Sequence, residues 1–126
     1  MAFLFEKLEV YRKALNIAAD IRVLCAPMGR GNYDLADQLR RASVSIPANI
    51  AEGNGRMHRA DKRRFLLIAR ASAYECIPLL DLCLRAEVIT PEKVSHLRFG
   101  LEEICRMLGA LIRNNGKKAT TREVEK

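Results

Sequence analysis

Val94, Leu97, Leu101, Ile104, Leu108 and Leu111 recur in alternating steps of three and four. Only an α-helix brings such positions to one side, because its side chains repeat at about 3.6 residues per turn. A seam kept up over so many turns is the packing edge of a helical bundle and fits no strand. The segment also carries its own start signal: Thr90-Pro91-Glu92 reads as N-cap, first helical residue and dipole-compensating acid. Asn114-Asn115-Gly116 predicts its close, which leaves residues 117–126 as a flexible polar tail.

Three further helical segments precede it. From Phe5 to Cys25, Leu8, Tyr11, Leu15 and Ala18 form one apolar stripe, and Val10, Ala14, Ile17, Ile21 and Leu24 form a second beside it. One bundle contact needs a single stripe, so the surplus points either to a second subunit or to a deeply set core helix. Pro27, Gly29 and Gly31 break the pattern. A second helix is predicted from Tyr33 and Asp34, with Leu35, Leu39, Ala42, Ile46 and Ile50 toward the core and Gly53 and Gly55 at its end. Pro47 removes one backbone donor within it, so the Ser43 carbonyl is expected to lose its usual partner and the helix to bend. The third helix is predicted from near Asp61 to Ala86, with Phe65, Ile68, Ala69, Ser72, Cys76, Leu79 and Cys83 on one side and a kink at Pro78.

No run alternates with period two for long enough to make a strand, and short connections force successive helices to run in opposite directions. The expected fold is therefore all-α, an antiparallel up-and-down four-helix bundle over residues 1–116. At 126 residues the chain suits one core, and its 49% apolar content with no Trp and few Gly or Pro favours helix. Asp20, Arg22, Arg70, Asp81 and Arg85 interrupt every apolar run before it reaches the roughly 18 residues a membrane span requires. The first residues lack a basic leader and pass straight into an amphipathic pattern, so a cytoplasmic location is expected. Cys25, Cys76, Cys83 and Cys105 form no Cys-x-x-Cys pair and sit within apolar patterns, as buried small hydrophobes do.

The chain carries +7, and the charge is unevenly spread. Between Gln38 and Ala71, eight basic residues (Arg40, Arg41, Arg56, Arg59, Lys62, Arg63, Arg64 and Arg70) stand against Glu52 and Asp61, giving +6 of that total. Lys62, Arg63 and Arg64 fall in the first turns of the third helix, where the dipole disfavours each exposed cation by about 0.3–1 kcal/mol. An anionic partner would offset that cost, which makes Arg40, Arg56, Arg59, Lys62, Arg63 and Arg64 candidates for contact with RNA or DNA phosphates. Arg59 and Arg63 are expected to face solvent, pointing away from Phe65 and Ile68. An acidic patch on another subunit or protein is a second reading of the same charge, and plain solvation a third. No base-reading motif accompanies the cluster, so nucleic-acid binding would be backbone-led, salt-sensitive and weakly sequence-specific.

Signals for catalysis are weak. His58 and His96 do not follow a Glu at the spacing of di-iron bundles, and Gly53-Asn54-Gly55 follows a helix and lacks the rest of a phosphate loop. No metal or other cofactor is expected. Arg41, Ser45, Asn49 and Glu52 recur at helical spacing as one polar stripe. They are read as a structural network at a helix or subunit contact, with Glu52 paired to an arginine and Asn49 bonded to backbone near Pro47; the competing reading is a hidden active site using Glu52 with Arg41.

The run Gln38-Leu39-Arg40-Arg41-Ala42-Ser43-Val44-Ser45-Ile46-Pro47-Ala48-Asn49-Ile50-Ala51-Glu52-Gly53 resembles the bacterial four-helix-bundle family encoded by intervening sequences of large-subunit ribosomal RNA genes. The similarity extends to Gly55-Arg56, to Phe65 through Ser72, and to Phe5, Leu8, Val10, Tyr11 and Ala14. Ala73-Tyr74-Glu75-Cys76-Ile77-Pro78 departs from the family's usual Leu-rich, Glu-rich third helix. The resemblance implies a four-helix protomer, assembly into a homo-oligomeric ring of five, and no enzymatic activity. Accessory proteins of diversity-generating retroelements look like more distant relatives, basic and pentameric, that bind nucleic acid and a reverse transcriptase.

Overall fold

The structure, a computed structural model, describes the backbone of residues 3–125 and the side chains of residues 3–6 and 8–116. Among these residues it holds four α-helices and no strand: α1 (Glu9–Cys25), α2 (Tyr33–Asn54), α3 (Arg59–Arg85) and α4 (Pro91–Glu125). Short 3-10 turns at Leu4–Lys7 and Arg30–Asn32 lead into α1 and α2. No helix among the described residues is long and apolar enough to cross a membrane.

Each helix packs on two neighbours, α1 on α2 and α4, and α3 on α2 and α4. The contacting positions descend along one helix as they ascend along the other. Ser45 meets Ser72 and Gly53 meets Phe65 between α2 and α3; Lys13 meets Glu103 and Ile17 meets Gly100 between α1 and α4. The Lys13 ammonium lies 2.9 Å from Glu103, whose hydrogen bond raises the lysine pKa.

The core selects one of the two stripes of α1. Val10, Ala14, Ile17, Ile21 and Cys25 are buried, while Leu15 and Val23 stay exposed. In α2 the buried line is Ala36, Leu39, Ala42, Ile46 and Ile50, with Leu35 at its edge. On α3 the predicted Ala69, Ser72, Cys76, Leu79 and Cys83 are buried, joined by Leu66, Ala73 and Leu80, whereas the predicted Ile68 is exposed and Phe65 lies at the rim. Phe65, the largest apolar residue there, is used instead against arginines at the end of the bundle. The α4 seam is buried from Val94 to Leu108 and continues through Ile112, with Leu111 only partly covered.

The helix ends follow identifiable chemistry. Thr90 Oγ1 accepts the Lys93 N–H at 3.3 Å, as an N-cap should. At the other end of α3, the Val88 N–H reaches the Cys83 carbonyl and the Glu87 N–H the Leu84 carbonyl, a Schellman closure. It requires a left-handed residue, and Glu87 supplies it at φ 60° where glycine is the usual choice. α2 and α3 run without interruption through Pro47 and Pro78. α4 does not close at Asn114-Asn115-Gly116 as predicted but continues to Glu125. Asn115 Nδ2 donates back to the Leu111 carbonyl at 2.9 Å and Gly116 has no positive φ, so neither residue turns the chain. The side chains of the predicted polar tail, 117–126, lie outside the described residues.

Two glycines mark the close approaches. A Cβ on Gly53 would meet Phe65 Cβ at 3.0 Å and the Lys62 carbonyl at 3.2 Å, both fixed to the α3 backbone. A Cβ on Gly100 would meet only the tip of Ile17, at 2.6 Å from Cδ1. Gly53→Ala should therefore lower stability by about 1–2 kcal/mol through overpacking. Gly100→Ala should stay within about 1 kcal/mol of the parent, because a movable side chain yields and the helix gains about 1 kcal/mol in propensity. Thermal unfolding of the two variants checks the order.

All four cysteines are free. Burial pushes the thiols of Cys25, Cys83 and Cys105 up, opposed at Cys25 by Arg40 and at Cys105 by Arg70, and it takes Cys76 from 9.0 to about 12. A raised folded-state value means that the stability contribution is present below the unfolded value and is lost as pH rises toward the folded one. The urea midpoint should thus be flat up to pH 9 and fall between 9 and 12, and Cys76→Ala should fall less steeply.

Candidate functional site

The basic residues singled out in the sequence gather where the end of α2 meets the start of α3, and the turn between them explains how. Gly55 caps α2, donating to the Ala51 and Gly53 carbonyls, and His58 in extended conformation opens α3. The tight Gly53 contact brings Phe65 up beside Gly55-Arg56. Phe65 is then packed by two guanidinium groups: Arg56 lies 4.7 Å and Arg64 4.8 Å from the ring centroid. Each such contact contributes about 0.5–1 kcal/mol when exposed, and together they fix two cations whose remaining N–H groups face solvent.

The other predicted residues have separate roles. Lys62 Nζ donates to the Asn54 carbonyl at 3.1 Å, so it tethers the C-terminal end of α2. Arg63 is exposed and lies along α4, with Nε 3.4 Å from where a Cβ on Gly116 would stand. Arg59, expected to face solvent, is half-buried and its Nη1 is sealed without a hydrogen-bond partner. Arg40 stands apart near the start of α2, its guanidinium 6.0 Å from the Tyr33 ring centroid. The cluster is thus Arg56, Arg63 and Arg64 outward, Arg59 and Lys62 inward, and Arg40 elsewhere.

The predicted polar stripe on α2 separates into three parts. Ser45 Oγ and Ser72 Oγ are hydrogen-bonded at 2.8 Å across the α2–α3 contact. Asn49 Nδ2 donates to Ser45 Oγ at 3.0 Å and to the Ser45 carbonyl at 2.8 Å, not to the Ser43 carbonyl freed by Pro47. Ser43 uses its own hydroxyl to donate to the Arg40 carbonyl at 2.9 Å. Glu52 pairs with Arg56, outside this network, and Arg41 faces solvent with its guanidinium 3.8 Å from Asp37. Glu52 and Arg41 therefore do not share a cleft, and the serine–asparagine group is a helix-to-helix tie in which each hydroxyl has a partner.

A second basic surface was not read from the sequence. Between α3 and α4 runs an open groove of about 770 Å³, with Leu101, Cys105 and Gly109 in its floor and Arg70, Arg106 and Arg113 along its sides. Its far end is closed by Arg98, held at 3.7 Å from Asp81 and 3.3 Å from Glu102. The available signal was spacing: Arg63 and Arg70 are seven apart on α3, and Arg106 and Arg113 are seven apart on α4, so each pair shares a helix face. Charge counted along the chain hides this pairing, because Arg106 and Arg113 are distant in sequence from the main cluster.

The fold and this surface define a class: an all-helical bundle whose basic side chains collect at one end and along one groove. The family model for 23S rRNA-intervening sequence protein matches residues 6–110, and the chain belongs to that family. A solved structure from Bacteroides thetaiotaomicron, described as a protein with unknown function from the S23 ribosomal protein family, is similar at 31% identity and a TM-score of 0.77. The match covers 82% of this chain and 95% of the other. No curated protein matches.

Proposed function

We propose that the protein is a non-enzymatic, self-associating bundle that binds nucleic acid, RNA in preference to DNA, in the cytoplasm. The single observation that carries this reading is the Arg56–Phe65–Arg64 stack beside the exposed Arg63. Guanidinium groups held on a ring have lost part of their conformational freedom before a phosphate arrives, and their outward N–H donors match phosphate oxygens. Of the three, only Arg56 has a carboxylate partner among the described residues, Glu52. The family's description, which refers to intervening sequences of 23S rRNA, favours RNA as the polymer.

The non-enzymatic reading is supported by the separation of Glu52 from Arg41 and by the mutual pairing of Ser45, Ser72 and Asn49. The helices are read as antiparallel, up and down, on the oppositely ordered contacts along α2–α3 and α1–α4. Self-association, in a ring of five as the resemblance implies, is supported by apolar side chains left on the outside: Leu15 and Val23 of α1, Leu82 of α3 and Phe99 of α4. Val23 is 75% exposed and Phe99 66%, more than an isolated soluble protomer gains by showing. The alternative, docking of an acidic protein on the same cations, uses the same charge but leaves the stacked geometry without a purpose.

Filter binding to fragments of 23S rRNA at 50 and 200 mM salt tests the first part. The parent should bind and lose affinity steeply with salt, and Arg56→Gln with Arg64→Gln should weaken binding by roughly tenfold at the lower salt. Undetectable binding at 50 mM salt would refute the nucleic-acid reading, and retention of an acidic protein after nuclease treatment would favour the alternative. Sedimentation equilibrium tests assembly. A mass of five protomers is expected, and a monomer at micromolar concentration would refute it.

A further inference from the structure

The groove between α3 and α4 is charged in a way the bundle itself does not require. Arg70 of α3 faces Arg106 and Arg113 of α4 across it, and among the described residues none of the three is paired with a carboxylate. The one acid in its lining, Glu102, is occupied by Arg98. Like charges converging on a concave surface raise the local potential and draw counter-ions, so the groove favours an anion. Arg70 Nε is buried with no hydrogen-bond partner among the described residues, while its Nη2 donates to the Tyr74 hydroxyl at 3.3 Å.

The ligand is narrowed by what else is present. Tyr74 borders the groove with its side chain 55% exposed, and the Arg70 guanidinium lies 5.4 Å from its ring centroid. An aromatic face next to a row of cations is the arrangement that holds unpaired bases by stacking and their backbone by charge. Arg106 and Arg113 lie two helical turns apart, about 10 Å along α4, which is the reach of a strand rather than of one small anion. Beyond the groove, on the side of Arg70 and Arg113, Arg63 stands two turns before Arg70 and lies against α4 at Gly116. Gly109 lines the groove without a side chain, and a Cβ there would touch only Arg113 Nη1, at 3.4 Å.

We infer that the α3–α4 groove is a binding track for single-stranded nucleic acid, in which Arg70, Arg106 and Arg113 hold successive parts of the phosphate backbone and Tyr74 stacks on an unpaired base. This deepens the function proposed above and rests on it. The basic end of the bundle and the groove then form one path, entered past Arg63 and ending where the Arg98 ion pairs close the far end. A duplex is too wide to lie along this track and presents no free base face to Tyr74.

The test uses fluorescence anisotropy of the full chain with a labelled unstructured RNA strand, the DNA strand of the same sequence and the matching RNA duplex, from 50 to 200 mM salt. Arg106→Gln with Arg113→Gln alters two exposed side chains and should leave the melting temperature unchanged. It should weaken single-strand binding roughly tenfold and reduce the slope of log affinity against log salt by about 1.4, two phosphate contacts' worth. Tyr74→Ala should weaken the single strand by roughly tenfold and the duplex little, and Tyr74→Phe, which keeps the ring, should restore binding. Equal affinity for RNA and DNA strands would assign the contacts to phosphate and base alone, and tighter RNA binding would add the 2′-hydroxyl; either result supports the track. If these groove variants bind like the parent while Arg56→Gln with Arg64→Gln is impaired, the groove is not the track and the general nucleic-acid reading survives. Duplex binding as tight as single-strand binding also overturns the inference, and failure of the parent to bind any strand at 50 mM salt removes both.

Discussion

Gly53 sets the distance between α2 and α3, and much of the surface depends on that distance. Without a Cβ at this position the α3 backbone comes within contact of α2 at Lys62 and Phe65. The approach buries Leu66 and leaves Phe65 at the rim, next to Arg56 on the turn and Arg64 on its own helix. It also puts Lys62 within hydrogen-bonding reach of the last carbonyls of α2. A larger separation would keep the bundle and lose the stack, because cation–ring attraction fades beyond about 6 Å.

The same closeness accounts for the polar tie deeper along the interface. Ser45 and Ser72 are small enough for the helices to meet, and the buried Ser72 hydroxyl would lose its hydrogen-bond partner if Ser45 were absent. Asn49 completes the group from one turn along α2. Packing is thereby specified on α2–α3 by hydrogen bonds and on α1–α4 by the Lys13–Glu103 pair and the Ile17–Gly100 contact. The basic groove arises on the α3–α4 interface, where arginines rather than small residues line the outer edge and Asp81 with Arg98 supplies the only ion pair between the two helices among the described residues.

Charge is distributed in keeping with this division. Side chains such as Lys62 and Arg59 are drawn inward and serve helix ends or packing, while Arg56, Arg63 and Arg64 point out and Arg70, Arg106 and Arg113 border a concavity. A single linear cluster thus splits into structural cations and available ones, and the available ones are joined by arginines from the far end of the chain. The family to which the chain belongs fits the fold, and the neighbouring solved structure repeats it at a TM-score of 0.77.

Read alone, the sequence determined the four helices, the core of α2 and α4, two candidate stripes on α1 between which the fold chose, the start of α4 at Thr90 and the location of the main charge cluster, because periodicity and capping are local and survive in one dimension. On α3 the buried Ala69, Ser72, Cys76, Leu79 and Cys83 were legible, but Phe65 was taken for core in place of Leu66, since the two are adjacent and equally apolar and only the neighbour at Gly53 decides which is buried. The end of α4 was missed because Asn-Asn-Gly permits a left-handed turn without compelling one. The pairing of Phe65 with two arginines, the inward turn of Arg59 and Lys62, the division of the Arg41–Glu52 stripe and the α3–α4 groove were decided by the tertiary structure alone. Each depends on the distance and relative rotation of two helices, and no spacing along a single chain records either quantity.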